Sequence, residues 1–63
     1  MADERQVVRL SRREAVRILR EGRAAAKAGR LVTACPYSPT GDATERVRVA
    51  AWVRGYTRAK RDR

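Results

Sequence analysis

Residues 22–37 read GRAAAKAGRLVTACPY, and this stretch decides the fold. It contains a run of small residues that ends at Gly29, a short apolar segment and a Cys-Pro-Tyr triplet. Glycine readily adopts the left-handed backbone conformation that ends helices, and proline restricts the residue before it to an extended conformation. We therefore predict that a helix ends at about residue 28 and that residues 29–42 form a non-helical connector.

Small and apolar residues recur at helical spacing on the N-terminal side of this stretch, and two signals disagree about where the helix begins. Val7 and Val8 are in phase with the later residues, which favours a start near residue 4 or 5. Ser11 followed by Glu14 is a capping box, which favours a start at residue 12. We adopt the earlier start and predict a helix over about 5–28. The arc comprises Val7, Val8, Ser11, Ala15, Ile18, Leu19, Gly22, Ala25, Ala26 and Gly29.

A second helix is predicted over about 43–60. Residues 38–42, SPTGD, are turn-forming, since Pro39 fixes φ and Gly41 permits a positive φ. Asp42 with Glu45 repeats the capping-box pattern. The apolar face of this helix comprises Val49, Trp52, Val53, Tyr56 and Ala59, and its basic face comprises Arg46, Arg54, Arg58 and Arg61.

The two predicted helices give an all-α fold, a two-helix hairpin joined by an extended Cys-Pro-Tyr connector and a turn-rich loop, in one small domain over residues 1–63. We expect Trp52 and Tyr56 to pack against the arc of Gly22 and Gly29, whose lack of side chains leaves room for an indole. Close helix approach at Gly22 and a helix cap at Gly29 explain these glycines better than a phosphate-binding loop, because the Walker pattern is absent.

The chain is strongly basic, with 16 Lys and Arg against 7 Asp and Glu and a net charge of +9. All but two of these cations are arginine, whose planar fork suits phosphate groups. The charge favours a polyanion, with nucleic acid as the leading partner, over a merely solvated face. The predicted contacts are a stripe on the first helix and two residues on the second: Arg12, Arg13, Arg17, Arg20, Arg23, Lys27, Arg30, Arg54 and Arg58.

Several other functions are disfavoured by the composition. The chain has no apolar run long enough for a signal peptide or membrane span, so we expect a soluble, cytoplasmic protein that does not contact membranes. One cysteine and no histidine argue against a disulfide within the chain, a metal site or another cofactor. An enzyme needs tuned groups in an enclosing pocket, so we expect neither catalysis nor a small-molecule substrate.

The Cys-Pro-Tyr triplet and the aromatic residues have structural explanations that compete with functional ones. Cys35 lacks a histidine base, so we interpret it as a small packing residue. For Trp52 and Tyr56, burial in the core is favoured over stacking on a base, because so small a chain has little else to bury. Tyr37 is left with two open roles, closing the core or presenting its ring and hydroxyl to RNA.

The order of several motifs resembles that of the ribosome modulation factor family. The motifs are Gly22 and Gly29, then the triplet Cys35-Pro36-Tyr37, then Trp52 followed by Gly55 and Tyr56. The resemblance covers about residues 15–60, and residues 38–51 look longer than in the best-studied members. It implies binding to rRNA and ribosomal proteins of the small subunit near the 3′ end of its rRNA. It also implies occlusion of the anti-Shine-Dalgarno region and pairing of idle ribosomes into inactive dimers. The alternatives are a small DNA-binding or nucleoid-type protein and, less favoured, an antibiotic-modifying enzyme.

Overall fold

The computed structural model of the protein describes residues 9–62, which form two α-helices and one 3-10 turn with no strand among them. Helix α1 is Arg12–Lys27 and helix α2 is Ala43–Arg61, and the 3-10 turn is Val32–Ala34. The predicted all-α fold of two helices packed against each other is confirmed.

Helix α1 begins at Arg12, not near residue 5. Ser11 is extended, with φ −65° and ψ 157°, and its hydroxyl accepts a hydrogen bond from the Glu14 amide at 3.1 Å. This bond satisfies one of the free amides of the first turn, and Arg9 and Leu10 are not helical. The prediction gave the helical phase of Val7 and Val8 more weight than the cap, and those two valines lie outside the described residues.

Helix α1 ends in the glycine motif that the sequence predicts. Gly29 has φ 77°, and its amide donates to the Ala26 carbonyl while the Arg30 amide donates to the Ala25 carbonyl. This pair of bonds is the Schellman arrangement, in which the residue after the cap takes the left-handed conformation. The cap itself is Ala28.

The connector departs from the prediction in two places. Val32–Ala34 form a 3-10 turn, where a wholly non-helical connector was predicted; the Ala34 amide donates to the Leu31 carbonyl at 2.9 Å. Gly41 does not have a positive φ, since Gly29 alone does among the described glycines. A Cβ on Gly41 would lie 2.9 Å from the Glu45 Cβ, so space for that side chain explains this glycine.

Helix α2 starts as its capping pattern predicts. The Asp42 carboxylate accepts a hydrogen bond from the Glu45 amide at 2.9 Å. The second half of the predicted capping box is absent, because the Glu45 side chain accepts from the Ser38 amide at 3.0 Å and not from the cap residue. Glu45 therefore fastens the end of the connector to the first turn of α2.

The two helices run in the same general direction, which differs from the predicted hairpin. Near the start of both helices, Arg48 contacts Glu14. Further along, Gly55 faces Leu19, and beyond them Asp62 and Lys27 border the same cleft. The contacting residues move towards the C-terminus in both helices at the same time, so the two helices pack parallel to each other. The 3-10 turn and the Cys-Pro-Tyr triplet therefore lie on a return segment that brings the chain back to the start of α2.

The core between the helices is small. Ile18, Trp52 and Tyr56 are the buried hydrophobic residues among those described, and the two aromatic rings stack with centroids 5.4 Å apart. The hydroxyl of Tyr56 donates a hydrogen bond to the Arg30 carbonyl, which fixes the exit of α1 to α2. The predicted burial of both aromatic residues is thus observed, and Cys35 packs at the edge of this core.

Two glycines place the helix backbones in contact. A Cβ on Gly22 would overlap the carbonyl oxygen of Trp52, and a Cβ on Gly55 would overlap that of Leu19. The predicted close approach at Gly22 is therefore observed, although it admits the backbone of Trp52 and not its indole. Gly29 has no atom within 4 Å of a Cβ position, so it serves the helix end and not the core.

Candidate nucleic-acid interface

An open groove runs between the helices on the side away from the Cys-Pro-Tyr segment. Its two banks are basic, with Arg20 and Arg23 on α1 and Arg58 on α2. Asp62 stands at one end. We use the name open groove for the surface formed by Val16, Leu19, Arg20, Arg23, Gly55, Arg58, Ala59 and Asp62.

The parallel direction of the helices explains why arginines from both helices border the open groove. The groove residues of α1 follow the pattern i, i+3, i+4, i+7 from Val16, so they form one stripe along the helix. In α2, Arg58 follows Gly55 by three residues and therefore lies beside the point of closest backbone contact. The glycines place the two banks close together, and the arginines border the resulting cleft.

The other basic residues that were predicted to contact nucleic acid lie around the open groove and do not line it. Lys27 borders its continuation towards the helix ends, together with Arg23 and Asp62. Arg54 lies with Arg9 in a separate cleft near the helix starts. The remaining predicted residues lie along the outer surface of α1 or just after it, and all are exposed: Arg12, Arg13, Arg17 and Arg30.

A chain of ion pairs and hydrogen bonds occupies the opposite side of the molecule. Arg48 binds Glu14 at 3.1 Å and Glu45 at 3.5 Å, which joins the first turns of both helices. Arg17 lies 3.8 Å from Glu14 and 3.9 Å from Glu21. All three glutamates of the described chain belong to this network, which we call the carboxylate network: Glu14, Arg17, Glu21, Glu45 and Arg48.

The charges are consequently segregated between two sides of the fold. By the 100° step of an α-helix, Glu14 and Glu21 lie about 160° to 180° around α1 from Arg23 and about 100° to 120° from Arg20. Arg17 lies between the two sides, with its side chain 62% exposed. One side is therefore nearly balanced in charge, whereas the open groove carries three arginines and one carboxylate.

Tyr37 fastens the connector to the carboxylate network. Its hydroxyl donates a hydrogen bond to Glu21 at 2.9 Å, and its ring packs against the core. Burial raises the pKa of this hydroxyl above its ordinary value of 10.0, and the Glu21 carboxylate raises it further, whereas Arg17 and Arg48 lower it. These contacts correspond to the core-closing role, and an RNA contact by Tyr37 stays a prediction.

The Tyr37 contact predicts a loss of stability at high pH. The folded protein holds the phenolic proton more tightly than the unfolded chain, so this contribution is fully present below pH 10 and disappears above it. We expect the free energy of unfolding to fall more steeply in the wild type than in Tyr37→Phe as the pH rises above about 10. Urea unfolding at several pH values measures this difference, and identical slopes in the two proteins would exclude the assigned role.

Three residues of the open groove and the carboxylate network were not identified from the sequence. Arg48 was omitted from the basic face, although its position four residues before Trp52 places it towards α1. Glu21 was not recognised as the acceptor for Tyr37, and nothing in the pattern connects residues 16 positions apart. Asp62 lies beyond the predicted end of the second helix and was not singled out, whereas it is the C-cap of α2 and lines the open groove.

The described residues contain no feature of a metal site or a membrane span. Among residues 9–62, no three His, Cys, Asp or Glu side chains are grouped so as to hold a metal ion. Neither helix has both the length and the apolar composition needed to cross a bilayer.

Comparison with known proteins gives one match. The family model described as ribosome modulation factor matches residues 8–63, which include both helices, the connector and the open groove. No characterised protein and no solved structure gave a significant match.

Proposed function

Because this chain belongs to the ribosome modulation factor family, we propose that its open groove binds rRNA of the small ribosomal subunit. The family comprises non-enzymatic ribosome-binding factors that act in hibernation through ribosome dimerisation, and this chain has that role. The proposal adds the subunit, the type of macromolecule contacted and the surface that contacts it. A cytoplasmic location follows from binding to ribosomes.

The observation that carries the proposal is the segregation of charge between the two sides. Phosphates attract arginine and repel carboxylates, so an RNA strand is drawn to the open groove and not to the carboxylate network. Arg23 and Arg58 stand on opposite banks, so a strand that follows the groove meets cations on both sides. Phosphate contacts of this kind position a protein on RNA, and neighbouring ribosomal proteins complete the binding surface.

We place the protein near the 3′ end of the small-subunit rRNA, where it occludes the anti-Shine-Dalgarno region. Family membership and the arginines on both banks of the groove support this position. A bound protein of this size covers only a short stretch of RNA. It therefore prevents initiation by competing for that stretch and not by reshaping the subunit. Dimerisation is the second consequence, because subunits held without mRNA are free to pair.

The proposal predicts a specific salt dependence for two arginines. Arg23→Gln with Arg58→Gln removes one cation from each bank, and each lost phosphate contact lowers the slope of log affinity against log salt by about 0.7 to 0.9. We expect the slope for binding to small subunits to fall by about 1.4 to 1.8 in the double variant. Binding titrations at several salt concentrations measure the slope.

A matched control separates the open groove from net charge. Arg46→Gln with Arg61→Gln also removes two positive charges, and neither residue lines the open groove. The control should retain most of the wild-type slope, with all three proteins equally helical by circular dichroism. Equal reductions in both double variants would show that charge alone drives binding and would exclude the groove as the site.

A further inference from the structure

The open groove contains more than arginines, and its floor is suited to an apolar, flat group. Gly55 and Ala59 present little side chain on α2, and Leu19 lines the groove from α1. Val16 borders it with 40% of its surface exposed, although it stands within the arginine stripe. Phosphate contacts leave this apolar surface uncovered, so the phosphate-binding role does not account for it.

The size of the groove limits what can cover the floor. Its volume is about 240 Å³, below the roughly 300 to 1,000 Å³ typical of sites for whole small-molecule ligands. A double helix presents phosphates outward and conceals the faces of its bases, so it would leave the floor exposed. An unpaired nucleotide covers the floor with its base while its phosphates reach the arginines.

Asp62 is the carboxylate of the open groove and shows which edge of the base is recognised. A carboxylate only accepts hydrogen bonds and repels phosphate, so the RNA group that contacts Asp62 is a donor, on a base or at a ribose 2′-hydroxyl. Guanine offers two adjacent donors, N1–H and the N2 amino group, which match the two carboxylate oxygens.

We propose that the open groove binds a single unpaired guanine of the RNA. The base lies on the floor at Leu19 and Ala59, Asp62 accepts hydrogen bonds from its N1–H and N2 amino group, and the arginines hold the flanking phosphates. This inference rests on the proposed function, since it specifies the nucleotide that the same groove selects.

The test uses short RNAs that differ at one central base. An oligoadenylate carries guanosine, inosine or adenosine at its centre, and inosine differs from guanosine only by lacking the 2-amino group. Fluorescence anisotropy at constant salt gives the affinities for the wild type and for Asp62→Asn. Asparagine has the size of aspartate but offers a single acceptor oxygen beside a donor, so it cannot match two adjacent donors.

The wild type should bind the guanosine RNA at least about fivefold more tightly than the inosine RNA, because inosine loses one of the two hydrogen bonds to the charged carboxylate. Asp62→Asn should reduce this ratio to about one, while its affinity for the adenosine RNA stays equal or rises because a negative charge is lost. Equal binding of all three RNAs by the wild type, or an unchanged ratio in Asp62→Asn, would overturn the inference.

The same proteins distinguish this inference from the proposed function. If the guanine preference is absent but Arg23 and Arg58 still govern the salt dependence of ribosome binding, only the guanine site is wrong. If those two arginines have no effect, the proposed function itself fails. Circular dichroism of Asp62→Asn controls for folding, because the Asp62 amide caps α2 through the Arg58 carbonyl and the substitution preserves that bond.

Discussion

Gly55→Ala is expected to abolish cooperative folding of this protein. The added methyl group would overlap the carbonyl oxygen of Leu19, which is helix backbone and cannot move aside by changing rotamer. Overpacking a core costs typically about 1 to 3 kcal/mol even where side chains adjust, and a backbone clash costs more. A chain of 63 residues has only about 3 to 9 kcal/mol of stability in total.

Thermal unfolding followed by circular dichroism measures the effect, and Gly29→Ala is the control. Gly29 has free space around its Cβ position, so alanine there costs only the strain of the left-handed conformation, about 1 kcal/mol. We expect Gly29→Ala to lower the midpoint modestly and Gly55→Ala to remove the transition. A wild-type midpoint in Gly55→Ala would mean that the helices are not in backbone contact.

Trp52→Ala is expected to have the second largest effect, a loss of about 3 to 5 kcal/mol. The indole is 2% exposed and stacks on Tyr56, so its removal leaves a cavity in a core with only two other buried hydrophobic residues among those described. The loss is comparable to the whole stability of so small a domain. Most of the population should therefore be unfolded at room temperature.

Leu31→Ala provides the comparison for Trp52→Ala. Leu31 is 72% exposed on the connector, so truncation there should change the stability by less than about 0.5 kcal/mol. Urea denaturation of both variants gives the two free energies. A Trp52→Ala protein with full helicity and a wild-type urea midpoint would indicate an exposed tryptophan that is available to stack on a base.

Local features of this fold could be predicted because they depend on residues close in sequence. Gly29 ends α1 and Asp42 begins α2 through bonds that span three to five residues. The predicted start of α1 was wrong because two local signals competed, and the capping bond from the Glu14 amide to the Ser11 hydroxyl marks the start that the structure shows.

The direction of α2 could not be predicted from the same patterns. An apolar face and a glycine are compatible with parallel or antiparallel packing, and the choice depends on contacts such as that of Arg48 with Glu14, 34 residues apart. The direction matters for function because parallel packing aligns the α1 arginines with Arg58 in one groove. The sequence therefore predicted the basic residues but not which of them share a surface.

The central claim is that this protein binds the small ribosomal subunit through the open groove. Sucrose-gradient sedimentation of cognate ribosomes and separated subunits, with wild-type protein or the Arg23→Gln, Arg58→Gln variant, tests it most directly. We expect the wild type to migrate with the small subunit and to shift intact ribosomes towards dimers, and the variant to stay near the top of the gradient. Migration of the folded variant with the small subunit as complete as that of the wild type would contradict the claim.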